Sequence, residues 1–219
     1  MYCLGIEDED FIRGKVPMTK QEIRIVTIAK AHIAPDAIVY DIGAGTGSIS
    51  IEAARQAYRG CVYALEKNPD GIRLIRANAA NFAVPNISIM ETEAPQGLQN
   101  LPKADAVIIG GSGGHLCEIM DCLEEKTSAG ARVVINCVSL QTLHTAMEYL
   151  REHKQQYRYE AVELQATRIV QVKQYDMMKA TNPIFIVSYW RADEGSSPLM
   201  DVDLAAQHTQ PYDMLGEDD

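Results

Sequence analysis

The sequence predicts a single doubly wound α/β domain, a mostly parallel sheet with an antiparallel edge. Three features point to it. Short apolar runs alternate with amphipathic stretches, a glycine-rich turn joins the first run to the next helix, and an acid closes the second run.

Each element follows from local chemistry. Thr19-Lys20-Gln21-Glu22 has the capping-box pattern, and Ile23, Val26, Ala29 and Ile33 follow at helical spacing, so the first helix is expected from Thr19 to about His32. Pro35-Asp36 breaks it, and Ile38 to Ile42 is an apolar run suited to a buried parallel strand. Helix Ser48 to Ala57, strand Val62 to Leu65, helix Pro69 to Asn81, and strands Ile87 to Met90 and Ala106 to Ile109 follow. A second glycine cluster precedes helix Leu116 to Lys126, strand Val133 to Cys137 and helix Leu140 to His153. Such alternation implies right-handed crossovers with helices on both faces. Tyr159 to Lys173 and Pro183 to Trp190 are β-prone and read as an antiparallel pair at the sheet edge. Residues 1–18 then form an N-terminal arm, 19–191 the domain, and 192–219 an acidic, poorly ordered tail.

Composition narrows the classes. At 219 residues and 47% hydrophobic content the chain suits one filled core. No run reaches the roughly 18 apolar residues of a membrane helix, and the acidic start is unlike a secretory signal, so a cytoplasmic protein with no membrane partner is expected. Five cysteines without Cys-x-x-Cys, and five histidines without His-x-x-x-His, favour reduced thiols and no metal site. Net charge is −10, but residues 192–219 hold eight acids and no Lys or Arg, which leaves 20 basic against 22 acidic residues elsewhere. A near-neutral body can bind a small anion; a large nucleic-acid footprint is disfavoured.

Asp41-Ile42-Gly43-Ala44-Gly45-Thr46-Gly47 is the strongest signal. Glycines between strand and helix let the backbone approach a ligand, and amides at a helix start meet polar groups. A dinucleotide fingerprint would read Gly-x-Gly-x-x-Gly, whereas here Ser48 stands at the third glycine. The turn resembles the first motif of class I methyltransferases and so points to S-adenosyl-L-methionine on a Rossmann-like class I methyltransferase fold; the alternative is an ordinary tight turn. Glu66, about 20 residues on, suits a ribose, since an ionised carboxylate only accepts hydrogen bonds; alone it is equally a helix-dipole acid. Thr92-Glu93-Ala94-Pro95 reads as an adenine contact or as a polar loop, and Thr19 as a cofactor contact or a helix cap. The cluster Gly110-Gly111-Ser112-Gly113-Gly114 removes side-chain bulk at the carboxyl ends of the strands, where ligands bind in such sheets, and is read as a substrate or cofactor contact, the alternative being a flexible loop; His115 beside it is a helix start or a catalyst. Arg168, Lys173 and Lys179, with Asn182, form either a cationic rim for substrate carboxylates or a solvated edge. No catalytic residue is assigned.

Together these residues resemble the decarboxylating cobalt-precorrin carbon-15 methyltransferases of anaerobic cobalamin biosynthesis. The matching stretches are Gly5 to Phe11, Val16-Pro17-Met18-Thr19-Lys20 through Arg24, Asp41 to Ser50, Ile109 to Gly114 and Asn182-Pro183-Ile184. Glu7 stands where a proline is expected, and Glu66 where Asp is frequent. The resemblance implies cofactor contacts at Thr19, Gly43 to Gly47, Glu66 and Ala94. It implies a cobalt-precorrin tetrapyrrole substrate, methylation at carbon 15 with loss of the ring C acetate carboxyl, and a homotetramer. Rival readings are a methyltransferase for protein isoaspartate or a tRNA base, a nicotinamide-dependent oxidoreductase, and a non-catalytic nucleotide-binding module.

Overall fold

A computed structural model describes residues 4–192. The acidic tail expected beyond Arg191 therefore lies, except for Ala192, outside the described residues.

Five parallel strands carry the sheet: β1 (Ile38–Ile42), β2 (Cys61–Leu65), β3 (Ile87–Met90), β4 (Ala104–Ile109) and β5 (Thr127–Cys137). Between them lie α2 (Ser48–Gln56), α3 (Pro69–Asn81) and α4 (Leu116–Lys126); α1 (Gln21–Lys30) precedes β1 and α5 (Leu140–Glu152) follows β5. The remaining strands are β6 (Tyr157–Leu164), β7 (Thr167–Val172), β8 (Tyr175–Ala180) and β9 (Ile184–Arg191). The order is β3-β2-β1-β4-β5-β9-β6, with β9 antiparallel to both neighbours. Chain direction across the sheet reverses between β1 and β4, so the loops after these two strands diverge and leave a crevice at their carboxyl ends.

Alternate residues of the buried strands serve opposite faces. Tyr40, Ile42, Val107, Ile109 and Ile135 pack with α4 and α5, whereas Val39, Val62, Ile108 and Val134 pack with α1 and α2. Each such fully buried aliphatic side chain contributes about 1.5–3 kcal/mol.

Several boundaries depart from the sequence reading. α1 starts at Gln21, and its N-cap Lys20 makes no side-chain cap. The capping box fails because Glu22 is bound by Arg168, and Thr19 offers its carbonyl to Arg24 Nη1 at 2.7 Å. β5 begins six residues early, at Thr127, with a register shift against β4 between Ala104 and Ala106. The β-prone stretch after Tyr159 is two strands: β6 joins the main sheet, and β7 pairs with the unforeseen β8 in a separate hairpin.

The expected arm is bound into the core. Ile6 and Phe11 are buried, and Glu52 accepts from the Gly5 and Ile6 amides. The fully buried Arg24 reaches Asp8 at 3.2 Å and Glu52 at 3.1 Å.

Candidate functional site

A cavity of about 830 Å³ opens at the crevice beside β1 and β4. Thr19, Asp41, residues 43–46, Glu66, Ala94 and residues 111–113 all line it, so nearly every position singled out in the sequence converges there. Gly47 and Gly114 do not line it; Gly114 borders a side pocket. Arg168 does not line it either. Its guanidinium binds both oxygens of Glu22 at 2.7 Å and Asp8 at 3.1 Å, which corrects the expectation of a free cation on the rim.

The glycine turn is fixed by hydrogen bonds to β2. The Gly43 and Ala44 amides both donate to Leu65 O at 3.0 Å, and the Gly45 amide donates to Glu66 Oε2 at 2.7 Å. Glu66 Oε1 accepts from the Asn68 amide at 2.7 Å. Each carboxylate oxygen has a second lone pair, so Glu66 pins the turn and keeps acceptor capacity for hydroxyl donors.

The three glycines of the turn have left-handed φ values but different surroundings. A Cβ at Gly43 would lie 2.5 Å from Gly111 O, so this glycine lets the two glycine-rich loops touch. One at Gly47 would press on Ile75 at 3.1 Å, beneath the turn and away from the cavity. Gly45 has room beside it, with Pro17 O at 3.4 Å, and its constraint is the φ of +58°. A fourth glycine escaped the sequence reading: a Cβ at Gly71, in the first turn of α3, would meet Glu66 Cγ at 2.8 Å and Gly45 O at 2.9 Å. A glycine inside a helical pattern was its signal.

Asp41, 1% exposed, accepts from Ser50 through Oδ2 and leaves Oδ1 unpartnered. Burial pushes its carboxyl up to about 7, with nearby Glu66 adding to the rise and the Ser50 hydrogen bonds opposing it. A buried, unsatisfied acceptor beside a cavity suits a ligand that brings a cation or donor. A carboxylate with spare acceptors, a glycine turn, and a buried acid together fit the sugar and ammonium ends of a nucleoside that carries an amino acid. Ala94, buried after β3, adds apolar surface. Beside it, Lys67 Nζ lies 2.5 Å from Glu93, which raises the lysine above its ordinary range and lowers the acid.

The far wall was not read from sequence, apart from Asn182. Ile23, Asn136, Val138 and residues 180–184 complete it, supplied by α1, the end of β5 and the link from β8 to β9. Lys20 also lines the cavity and has no carboxylate partner among the described residues. His115 caps no helix with its side chain and lies 3.6 Å from Glu118. The described residues contain no cluster of three or more His, Cys, Asp or Glu suited to a metal, and no helix long and apolar enough to cross a membrane.

Comparison with known proteins adds a family match. The family model for a precorrin methyltransferase domain matches residues 10–192. The chain is 38% identical over 184 residues to the cobalt-precorrin-6B C(15)-methyltransferase (decarboxylating) of Salmonella typhimurium, covering 84% of this chain and 94% of that protein. Among solved structures, a precorrin-6y C5,15-methyltransferase from Geobacter metallireducens superposes with a TM-score of 0.81 at 38% identity, covering 85% of this chain and 98% of that one. A precorrin 8W decarboxylase from Methanobacterium thermoautotrophicum gives 0.79 at 30% identity, covering 84% and 98%.

Proposed function

This chain belongs to the precorrin methyltransferase family, and on that premise we propose that it transfers a methyl group from S-adenosyl-L-methionine to carbon 15 of a cobalt-precorrin, with loss of the ring C acetate carboxyl as carbon dioxide. The observation that carries the reading is one cavity lined by both the Gly43–Glu66 cradle and, touching it at Gly43, the glycine-rich backbone of residues 110–113.

When bound, S-adenosylmethionine supplies an electrophilic sulfonium methyl group. The chain's own residues then bind and orient. Glu66 accepts from the ribose hydroxyls with the lone pairs that the Gly45 and Asn68 amides leave free. The unpartnered oxygen of Asp41 would accept from the methionyl ammonium, whose charge would hold the acid ionised. Residues 110–113 carry almost no side-chain bulk and so would leave room for the edge of a flat macrocycle beside the bound cofactor. Alignment is the main requirement of such a transfer, which is consistent with a cavity lacking an obvious acid–base pair. With Arg168 and Lys67 engaged by acids, Lys20 is the lining cation that remains for a substrate carboxylate.

We also propose a homo-oligomer, a tetramer in keeping with the family resemblance. The β7–β8 hairpin exposes Ile169 (70%), Tyr175 (62%) and Met178 (82%), and an isolated two-stranded hairpin is marginal in water unless something covers it. A second copy is the cover proposed.

The test of function is incubation with a cobalt-precorrin and methyl-labelled S-adenosylmethionine, read by mass spectrometry. The expected product gains one labelled methyl and loses one carbon dioxide. An unchanged tetrapyrrole, with cofactor binding intact, would contradict the substrate assignment.

A further inference from the structure

We infer that the side pocket beside residues 110–114 seats the carboxylate that is lost, with Asn136 as its side-chain donor. The inference rests on the tetrapyrrole reading and names the subsite within it.

The side pocket measures about 210 Å³ and adjoins the main cavity, sharing Gly110, Gly111, Ser112, Gly113, Asn136 and Val138 with it. Asn136 is 5% exposed, at the carboxyl end of β5. Its Oδ1 lies 3.0 Å from the Thr27 hydroxyl, whose proton is shared with Ile23 O at 2.8 Å. This contact holds the planar amide from the α1 side. Nδ2, the opposite end, has no partner. A buried donor left unpaired is costly, and it is retained where a ligand brings the acceptor.

Two more features select an anion. The Ser112, Gly113 and Gly114 amides have no partner among the described residues. The first turn of the 13-residue α5 borders the pocket through Thr142, and its N-terminal end favours negative charge.

No Lys, Arg or His is among the residues lining the pocket. That composition suits a carboxylate about to leave. A cation would stabilise the starting charge and oppose its departure, whereas neutral donors place the group beside the buried apolar side chains of Ile109 and Ile135. In the step itself, the bond between the acetate methylene and its carboxylate carbon breaks, and its electron pair enters the conjugated macrocycle. Carbon dioxide leaves neutral. A water molecule then gives a proton to the former methylene, which becomes methyl, and hydroxide remains.

A carboxylate also occurs on the methionyl part of the cofactor, so the experiment separates the two sources. Asn136→Leu and Asn136→Asp are compared with wild type on a cobalt-precorrin labelled with ¹³C in the ring C acetate carboxyl. Released ¹³CO₂ and the calorimetric affinity for S-adenosylhomocysteine are both read. The expected result is at least a tenfold loss of ¹³CO₂ release in both variants, with nucleoside affinity within twofold of wild type. In Asn136→Asp, release is expected to recover in part as pH falls and the new acid gains a proton to donate, a response that a merely structural role would not give. Release within twofold of wild type in folded variants would overturn the subsite. A tenfold loss of nucleoside affinity would also overturn it, by assigning the pocket to the cofactor's carboxylate. If wild type itself releases no ¹³CO₂, the premise about substrate fails instead.

Discussion

At Gly45 the constraint is backbone conformation beside the cavity, and at Gly71 it is the space needed by Glu66. The two substitutions therefore separate. Gly45→Val forces a β-branched residue into left-handed φ, and calorimetry with S-adenosylhomocysteine should show at least a hundredfold weaker binding in a folded protein. Gly71→Ala should displace the Glu66 carboxylate and weaken binding about tenfold, or roughly 1.4 kcal/mol; unchanged affinity would show that Glu66 does not grip the ligand. Asp41 yields a pH dependence. Its folded pKa of about 7 lies above its ordinary 3.8, so its contribution to stability is full below pH 3.8 and is lost as pH rises through about 7. Urea unfolding of wild type and Asp41→Asn at pH 5 and pH 8 checks the sign: the free wild type should lose stability relative to the variant at the higher pH. The cavity-lining residues of the glycine turn, Gly43 to Thr46, and Glu66 were legible in sequence by type and spacing. Arg168 was misread because its partners, Asp8 and Glu22, lie 160 and 146 positions away. Asn136 showed only as a polar break in the run Val133 to Cys137.

Elements with strong local signals, the five parallel strands and the helices between them, stood where their apolar periodicity placed them, apart from the early start of β5. Elements fixed by distant contacts did not. The hairpin turn between Val172 and Tyr175 contains Lys173 and Gln174, with neither glycine nor asparagine to mark it, although Lys173 adopts φ +55°. The N-terminal segment is held by ion pairs that no local pattern reveals. Arg24 ties Asp8, Glu52 and the Thr19 carbonyl together, and so connects the arm to α1, α2 and the cavity wall. Removing one partner of a buried ion pair leaves the others uncompensated. Arg24→Met is therefore expected to lower unfolding free energy by about 3–5 kcal/mol in denaturant titration. A change under 1 kcal/mol would mean that the arm is not fastened by this network.

For the molecule as a whole, the reversal of chain direction between β1 and β4 opens the crevice in which the cavity lies; the alternating pattern of the sequence implied a doubly wound sheet but not which two strands flank the crevice. Oligomeric state was not legible from residues, since the apolar hairpin face gains meaning only once it is seen uncovered. Charged substitutions there, Ile169→Glu with Met178→Glu, should convert an oligomer to monomer in light scattering; a monomeric wild type would contradict the proposed cover. The proposed function rests at this scale on the glycine turn and Glu66 serving as a nucleoside cradle beside the glycine-rich backbone of residues 110–113. The most direct measurement is a crystal structure with S-adenosylhomocysteine. The expected result places the ribose hydroxyls on Glu66, the methionyl group over residues 43–46, and the sulfur facing residues 110–113; a nucleoside bound elsewhere, or with its ribose away from Glu66, would contradict it.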